Sequence, residues 1–215
     1  MRKFLGMIAI ATLAALCATQ VSADRLILMP MGSVLGRGSV KAEAAFGSGI
    51  DTGSLSPANS DRIYWANIGL GHLELTASRV EGPGGFESNA LGVELGVLPE
   101  TMITPALGIG VRDLGDDIGP GRGYYLAVSK SVPLTDVAPL PVHDIKLHAG
   151  YGFEGINGFF AGAQVGLPMK LTLSLEHDGE NFNAALSWNM IPKVGLKVYS
   201  LDGHIFYGAS LKIGL

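Results

Sequence analysis

Residues 203–215 read GHIFYGASLKIGL, and this stretch decides how the chain folds. In an extended strand Ile205, Tyr207, Ala209, Leu211, Ile213 and Leu215 share one face, while Phe206, Gly208, Ser210, Lys212 and Gly214 share the other. The alternation holds to the final residue. The last strand of a membrane barrel has to pair with the first, because an unpaired strand edge is intolerable in lipid. The spacing therefore predicts a barrel-closing strand rather than a soluble sheet edge.

The front of the chain is consistent with export. Arg2 and Lys3 precede an apolar run from Phe4 to Leu16, and Val21 and Ala23 place small residues three and one positions before a cut, so residues 1–23 are expected to be a cleaved signal peptide. The run is too short for a spanning helix, and Leu16 stands where lipid attachment to Cys17 would require a small residue. Cys17 is the only cysteine, so the exported chain has no disulfide, thiol nucleophile or cysteine-held metal. With 15 basic and 19 acidic side chains the net charge is −4, the wrong sign for a nucleic-acid surface. The 31 glycines disfavour helices and suit a sharply curved sheet.

From residue 39 onward, apolar residues recur at every second position in short runs broken by Gly, Pro, Asn and Asp. The pattern predicts an all-β, single antiparallel up-and-down transmembrane barrel of about twelve strands: 39–47, 62–70, 72–80, 87–97, 104–112, 123–130, 144–152, 158–167, 169–176, 181–190, 193–200 and 204–215. Residues 24–38 are left as a periplasmic N-terminal segment and 39–215 as the barrel. In representative strands Leu91, Val93, Leu95 and Val97 alternate with Gly92, Glu94 and Gly96, and Phe182, Ala184, Leu186 and Trp188 alternate with Asn183, Ala185, Ser187 and Asn189. A sandwich would alternate equally. The outward aromatics separate the two folds, since Tyr64, Tyr124, Tyr151, Phe159, Phe182 and Tyr207 gather at one set of strand ends and Trp188 lies near the other, as interfacial girdles require. Short connections such as Gly71 and 167–169 fall mostly at one end and longer ones at the other, with the proline-rich stretch 131–143 and the tight Asp202-Gly203 hairpin as exceptions.

The tail is similar to the closing signal of bacterial outer-membrane barrels, although those most often end on Phe or Trp and this one ends on Leu215. From Pro105 the chain also resembles the YjbH-like outer-membrane proteins associated with exopolysaccharide production. The likeness is carried by residues 106–115 (ALGIGVRDLG), 123–130 (GYYLAVSK), 160–165 (FAGAQV) and 174–183 (SLEHDGENFN), about half of the chain. Members of that family are usually longer, and His177 stands where a Tyr is more typical. The resemblance implies an outer-membrane barrel tied to surface polysaccharide, with no catalytic residues to transfer.

Chemistry is sparse. Glu176, His177 and Asp178 form the one dense acid and histidine cluster, but alternation sends Glu176 and His177 to opposite faces and Asp178-Gly179 has turn character. The loop 115–123 is glycine-rich without a following helix, so it lacks the context of a phosphate cradle. Asp113, Asp116 and Asp117 lack the ordered spacing of a calcium loop and read as a solvated surface. No metal or cofactor is expected. The candidate lumen and ligand-binding residues are Lys146, His148, Lys170, Lys197, Lys212, Arg112, Glu74, Glu94 and Glu176, with Lys41 and Glu43 on the same inward face. Their balance is basic, which suggests a modest preference for anions and anionic sugars. The reading is thus a non-enzymatic protein of the bacterial outer membrane serving surface polysaccharide or envelope biogenesis or export. Its expected partners are outer-membrane lipid, lipopolysaccharide, an anionic polysaccharide and the barrel-assembly machinery. The alternatives are a small passive porin-like channel, a barrel hydrolase acting on outer-membrane lipid, in which His148 or Glu176 would be needed, and a secreted soluble β-protein.

Overall fold

The computed structural model describes residues 25–49, 55–133 and 142–214. The expected signal peptide, the middle of the proline-rich connection and Leu215 lie outside these residues. Twelve antiparallel strands close into one barrel: β1 (Val40–Gly47), β2 (Arg62–Gly69), β3 (Leu73–Glu81), β4 (Glu87–Leu98), β5 (Ala106–Arg112), β6 (Gly123–Pro133), β7 (Asp144–Glu154), β8 (Gly158–Leu167), β9 (Leu171–His177), β10 (Phe182–Ile191), β11 (Val194–Leu201) and β12 (His204–Ile213). Each strand pairs with its sequence neighbours, and the barrel is sealed between β1 and β12 from Val40↔Ile213 to Gly47↔Phe206. The expected fold is therefore the observed one, with strand ends shifted by at most a few residues.

Turn chemistry sets those ends. Asp202 and Gly203 both have positive φ, giving the tight hairpin that joins β11 to β12. Met169 and Lys170 also take left-handed backbone, so they turn the chain and β9 starts only at Leu171. The hairpin of β6 and β7 is longer than its alternation suggests, pairing out to Pro133↔Asp144. At its base Lys130 donates to the carbonyls of Thr101 and Met102, which fastens the connection between β4 and β5.

The outward face is apolar around the whole circumference. Leu91, Ile109, Leu126, Leu147, Leu175, Leu186, Val198 and Leu211 are all exposed, as a lipid-facing band requires. Phe46, Tyr124, Tyr151, Phe153, Phe159, Phe182 and Tyr207 are exposed at one rim, and Phe46 meets Tyr64 edge to face across β1 and β2. That rim carries connections 48–61, 82–86, 113–122, 155–157, 178–181 and 202–203, and is called the loop rim below; the opposite end is the turn rim.

The interior departs from expectation. Residues 25–38, expected on the periplasmic side, run inside the barrel. Leu26, Ile27, Met29, Met31 and Leu35 are buried there. Leu26, Ile27 and Met31 pack with the inward Ile63, Trp65, Val80, Tyr199, Leu201 and Phe206, and Met29 packs with Ala127, Ile156 and Phe160. The physical cause is burial of apolar surface, since a free segment would leave both these side chains and the inward aromatics wet.

Candidate functional site: a lumen occupied by the N-terminal segment

The lumenal segment descends from the loop rim toward the turn rim and is held at three levels. Nearest the loop rim, the Glu176 carboxylate accepts the backbone N–H groups of Ile27 at 2.8 Å, Leu28 at 3.1 Å and Met29 at 3.0 Å, and the amide of Asn183 at 3.1 Å. Glu176 is the second-last residue of β9 and is 1 % exposed, so its carboxylate is satisfied by these donors rather than by bulk water. Lower down, Ser129 of β6 accepts the N–H of Gly32 at 2.9 Å and shares a 2.8 Å hydrogen bond with Nδ1 of His148 of β7. Beside them Lys146 donates to Ser33 at 3.3 Å. Near the turn rim, Glu74 of β3 accepts the N–H of Leu35 and the Asn67 amide, each at 2.6 Å. Gly38 and Gly69 are then joined through the backbone, and the chain turns into β1.

Small residues make room for this segment. A Cβ on Gly32 would stand 2.6 Å from the carbonyl of Ala127, and one on Gly69 would stand 2.3 Å from the carbonyl of Gly36. On the wall, a Cβ at Gly162 would meet Leu26, and one at Gly150 would meet the Phe160 ring. The inward glycines thus accommodate the segment and the large inward side chains.

Among the described residues, cavities lie on each side of the segment. The larger, about 540 Å³, runs from the loop rim down β3, β4 and β5; it is lined by Glu74, Glu94, Asp113, Glu154, Asp178 and Glu180, against Arg25 and Arg112. The smaller, about 210 Å³, lies against β1 and β8 to β12; it is lined by Lys41, Lys193, Lys197, Lys212 and Arg25, against Glu43. The lumen is therefore divided by sign across its walls, acidic beside β3 to β5 and basic beside β1 and β10 to β12. In the basic part Glu43 accepts from Lys197 at 2.5 Å and from the Tyr199 hydroxyl at 3.3 Å, with Lys41 Nζ 3.9 Å away. Arg25 stands between the cavities with its guanidinium 3.4 Å over the Trp65 ring.

The expected site residues fall into three groups. Glu176, His148, Lys146 and Glu74 hold the segment or lie against its contacts. Glu94 and Arg112 line the acidic cavity, where the Tyr125 hydroxyl donates to Glu94 at 2.9 Å and Arg112 donates to the carbonyl of Gly155 at 2.7 Å. Lys197 and Lys212 line the basic one. Lys170 is the exception: the turn conformation takes it out of β9 and leaves it exposed at the turn rim, outside the lumen. Ser129, Asn183, Arg25 and Trp65 were not singled out in the sequence. Ser129 and His148 form a serine–histidine pair, but Ser129 is 1 % exposed beneath Gly32, so no substrate can reach it in this arrangement.

No protein-family model matches the chain and no curated protein sequence matches it. Among solved structures the barrel is similar to KdgM porin, with a TM-score of 0.53 at 11 % identity, covering 82 % of this chain and 99 % of that one. A second structure, KdgM porin in complex with disordered oligogalacturonate, gives 0.53 at 10 % identity over the same shares. At such identity the likeness concerns the fold alone, a closed antiparallel barrel.

Proposed function

We propose that this chain is a non-enzymatic, porin-like channel of the bacterial outer membrane that admits small polar solutes and is closed at rest by its own N-terminal segment. The observation that carries the proposal is the pair of cavities meeting at residues 25–31. A protein serving only as a scaffold has no need of cavities with charged linings on both sides of its lumenal segment, whereas a passage interrupted by one movable strap produces them. The continuous apolar outer face and the aromatic rim support a bilayer location. The similarity to a porin fold supports passage over the surface-polysaccharide role implied by the YjbH-like resemblance, and the burial of Ser129 and His148 argues against a hydrolase.

The test is solute uptake by liposomes carrying the purified, heat-modifiable barrel. Swelling in small polar solutes that increases when the segment is loosened by Glu176→Gln is the expected result. Liposomes as tight as protein-free ones for both proteins would overturn the proposal.

A further inference from the structure

Three lysines stand side by side at the lower end of the basic cavity. Lys212 of β12 lies directly opposite Lys41 of β1. On its other side the Lys212 backbone N–H donates to the carbonyl of Lys193 at 2.8 Å, so Lys193, Lys212 and Lys41 form one row across the wall. All three line the cavity; Lys41 and Lys212 are half-buried, and Lys193 is exposed where the cavity meets the turn rim. Like charges placed directly opposite one another are unfavourable. Among the described residues Glu43 is the one carboxylate lining this cavity. It is taken by Lys197 at 2.5 Å and by the Tyr199 hydroxyl, and it reaches the row only through Lys41 at 3.9 Å. No carboxylate among the described residues pairs with Lys193 or Lys212.

We propose that this lysine row is a binding site for small phosphate-bearing anions of the diphosphate kind. The proposal rests on the passage reading and names its solute class. The row spans two strand spacings, roughly 10 Å along the wall. Lysine carries a compact charge on a flexible stem, so ammonium groups at that spacing can close on an anion whose charge is concentrated on one or two centres. A planar carboxylate is matched better by an arginine fork, and the one arginine lining this cavity, Arg25, is held over the Trp65 ring. Neutral polar groups stand one step above the row. A Cβ on Gly195, which pairs with Ser210, would lie 2.8 Å from the Ser210 hydroxyl oxygen and 3.1 Å from Oδ1 of Asn189, so these two side chains converge over the glycine and face the cavity. Hydroxyl and amide donors there can take the phosphoryl oxygens that the lysines leave free. Lysines grouped in a pore select anions and phosphates by the same electrostatics.

The test is titration calorimetry of the folded protein in detergent, with pyrophosphate as probe and tricarballylate as a carboxylate probe of similar charge. Pyrophosphate should bind about tenfold or more tightly than tricarballylate, and Lys212→Gln should weaken it about tenfold or more. Lys170→Gln removes a lysine at the same rim but outside the lumen, and should leave the affinity within about twofold of the wild type. Heat-modifiable migration of each variant shows that the barrel is folded, and Lys193→Gln, at the exposed end of the row, replaces Lys212→Gln with the same expected loss if the latter does not fold. Equal affinity for the two anions would overturn the phosphate class. Equal pyrophosphate affinity in the wild type and the row variant, an equal loss in Lys170→Gln, or no binding at all would overturn the site. The readout does not depend on passage: binding without solute uptake would retain the site and remove the channel, and uptake without binding would do the reverse.

Discussion

Glu176 holds Ile27 through a 2.8 Å hydrogen bond from backbone N–H to carboxylate, across 149 residues of sequence and from the barrel wall to its axis. The same carboxylate takes the next two N–H groups, so one side chain fixes the upper end of the lumenal segment. Glu176→Gln replaces a carboxylate with a group that can accept through only one oxygen and places its amide against donors. Loss of charge-assisted bonds of this kind costs about 1–3 kcal/mol. A cysteine introduced by Leu28→Cys should then react with a soluble maleimide about tenfold faster or more when Glu176→Gln is also present. Equal labelling rates would mean that Glu176 does not hold the segment.

Gly69 offers a steric test of the lower end. Its Cβ position lies 2.3 Å from the carbonyl of Gly36 and 2.4 Å from that of Leu35, backbone atoms that cannot rotate away. Gly69→Ala should displace residues 35–38 and raise labelling at Leu28→Cys while leaving heat-modifiable migration intact. Gly36→Ala is the matched comparison, since its Cβ would meet only the Ser39 hydroxyl oxygen at 3.7 Å. Identical labelling in the two variants would contradict the tight approach.

The lipid face makes its own prediction. Leu186 on β10 is exposed between Leu173 and Val198 of its neighbours, whereas Ser187 points inward and lines the basic cavity. Leu186→Arg should lower folding stability in lipid by about 2–4 kcal/mol, read from urea unfolding, and Ser187→Arg should cost less. Equal losses would undo the assignment of faces.

The wall of the barrel was readable in the sequence because period-two alternation is a local signal. Leu91 and Glu94 announce opposite faces without reference to any other strand, and the aromatic rim follows once Tyr64, Tyr151 and Tyr207 are placed on strand ends. Lys170 shows the limit of that logic, since alternation says nothing of a left-handed turn and the residue left the lumen with it. The lumenal segment was hidden for a different reason. Its contacts reach residues from Ile63 to Phe206, and no periodicity in 25–38 signals such distant partners. A clue was nevertheless present: Leu26, Ile27, Met29 and Met31 are too apolar for a solvated tail, and Phe206 and Phe160 are too apolar for a water-filled lumen. Each set required the other. Glu94 and Glu74 were identified as inward, but their direct opposition depends on the β3–β4 register, which a single strand cannot reveal.

The central claim is that the barrel is a passage closed by its own N-terminal segment, and single-channel recording in planar bilayers tests it most directly. Wild-type protein should show rare or small openings, and Glu176→Gln should open more often to a larger conductance without loss of the folded barrel. Silence from both, with the Leu28→Cys label confirming that the segment has left the lumen in Glu176→Gln, would contradict the account.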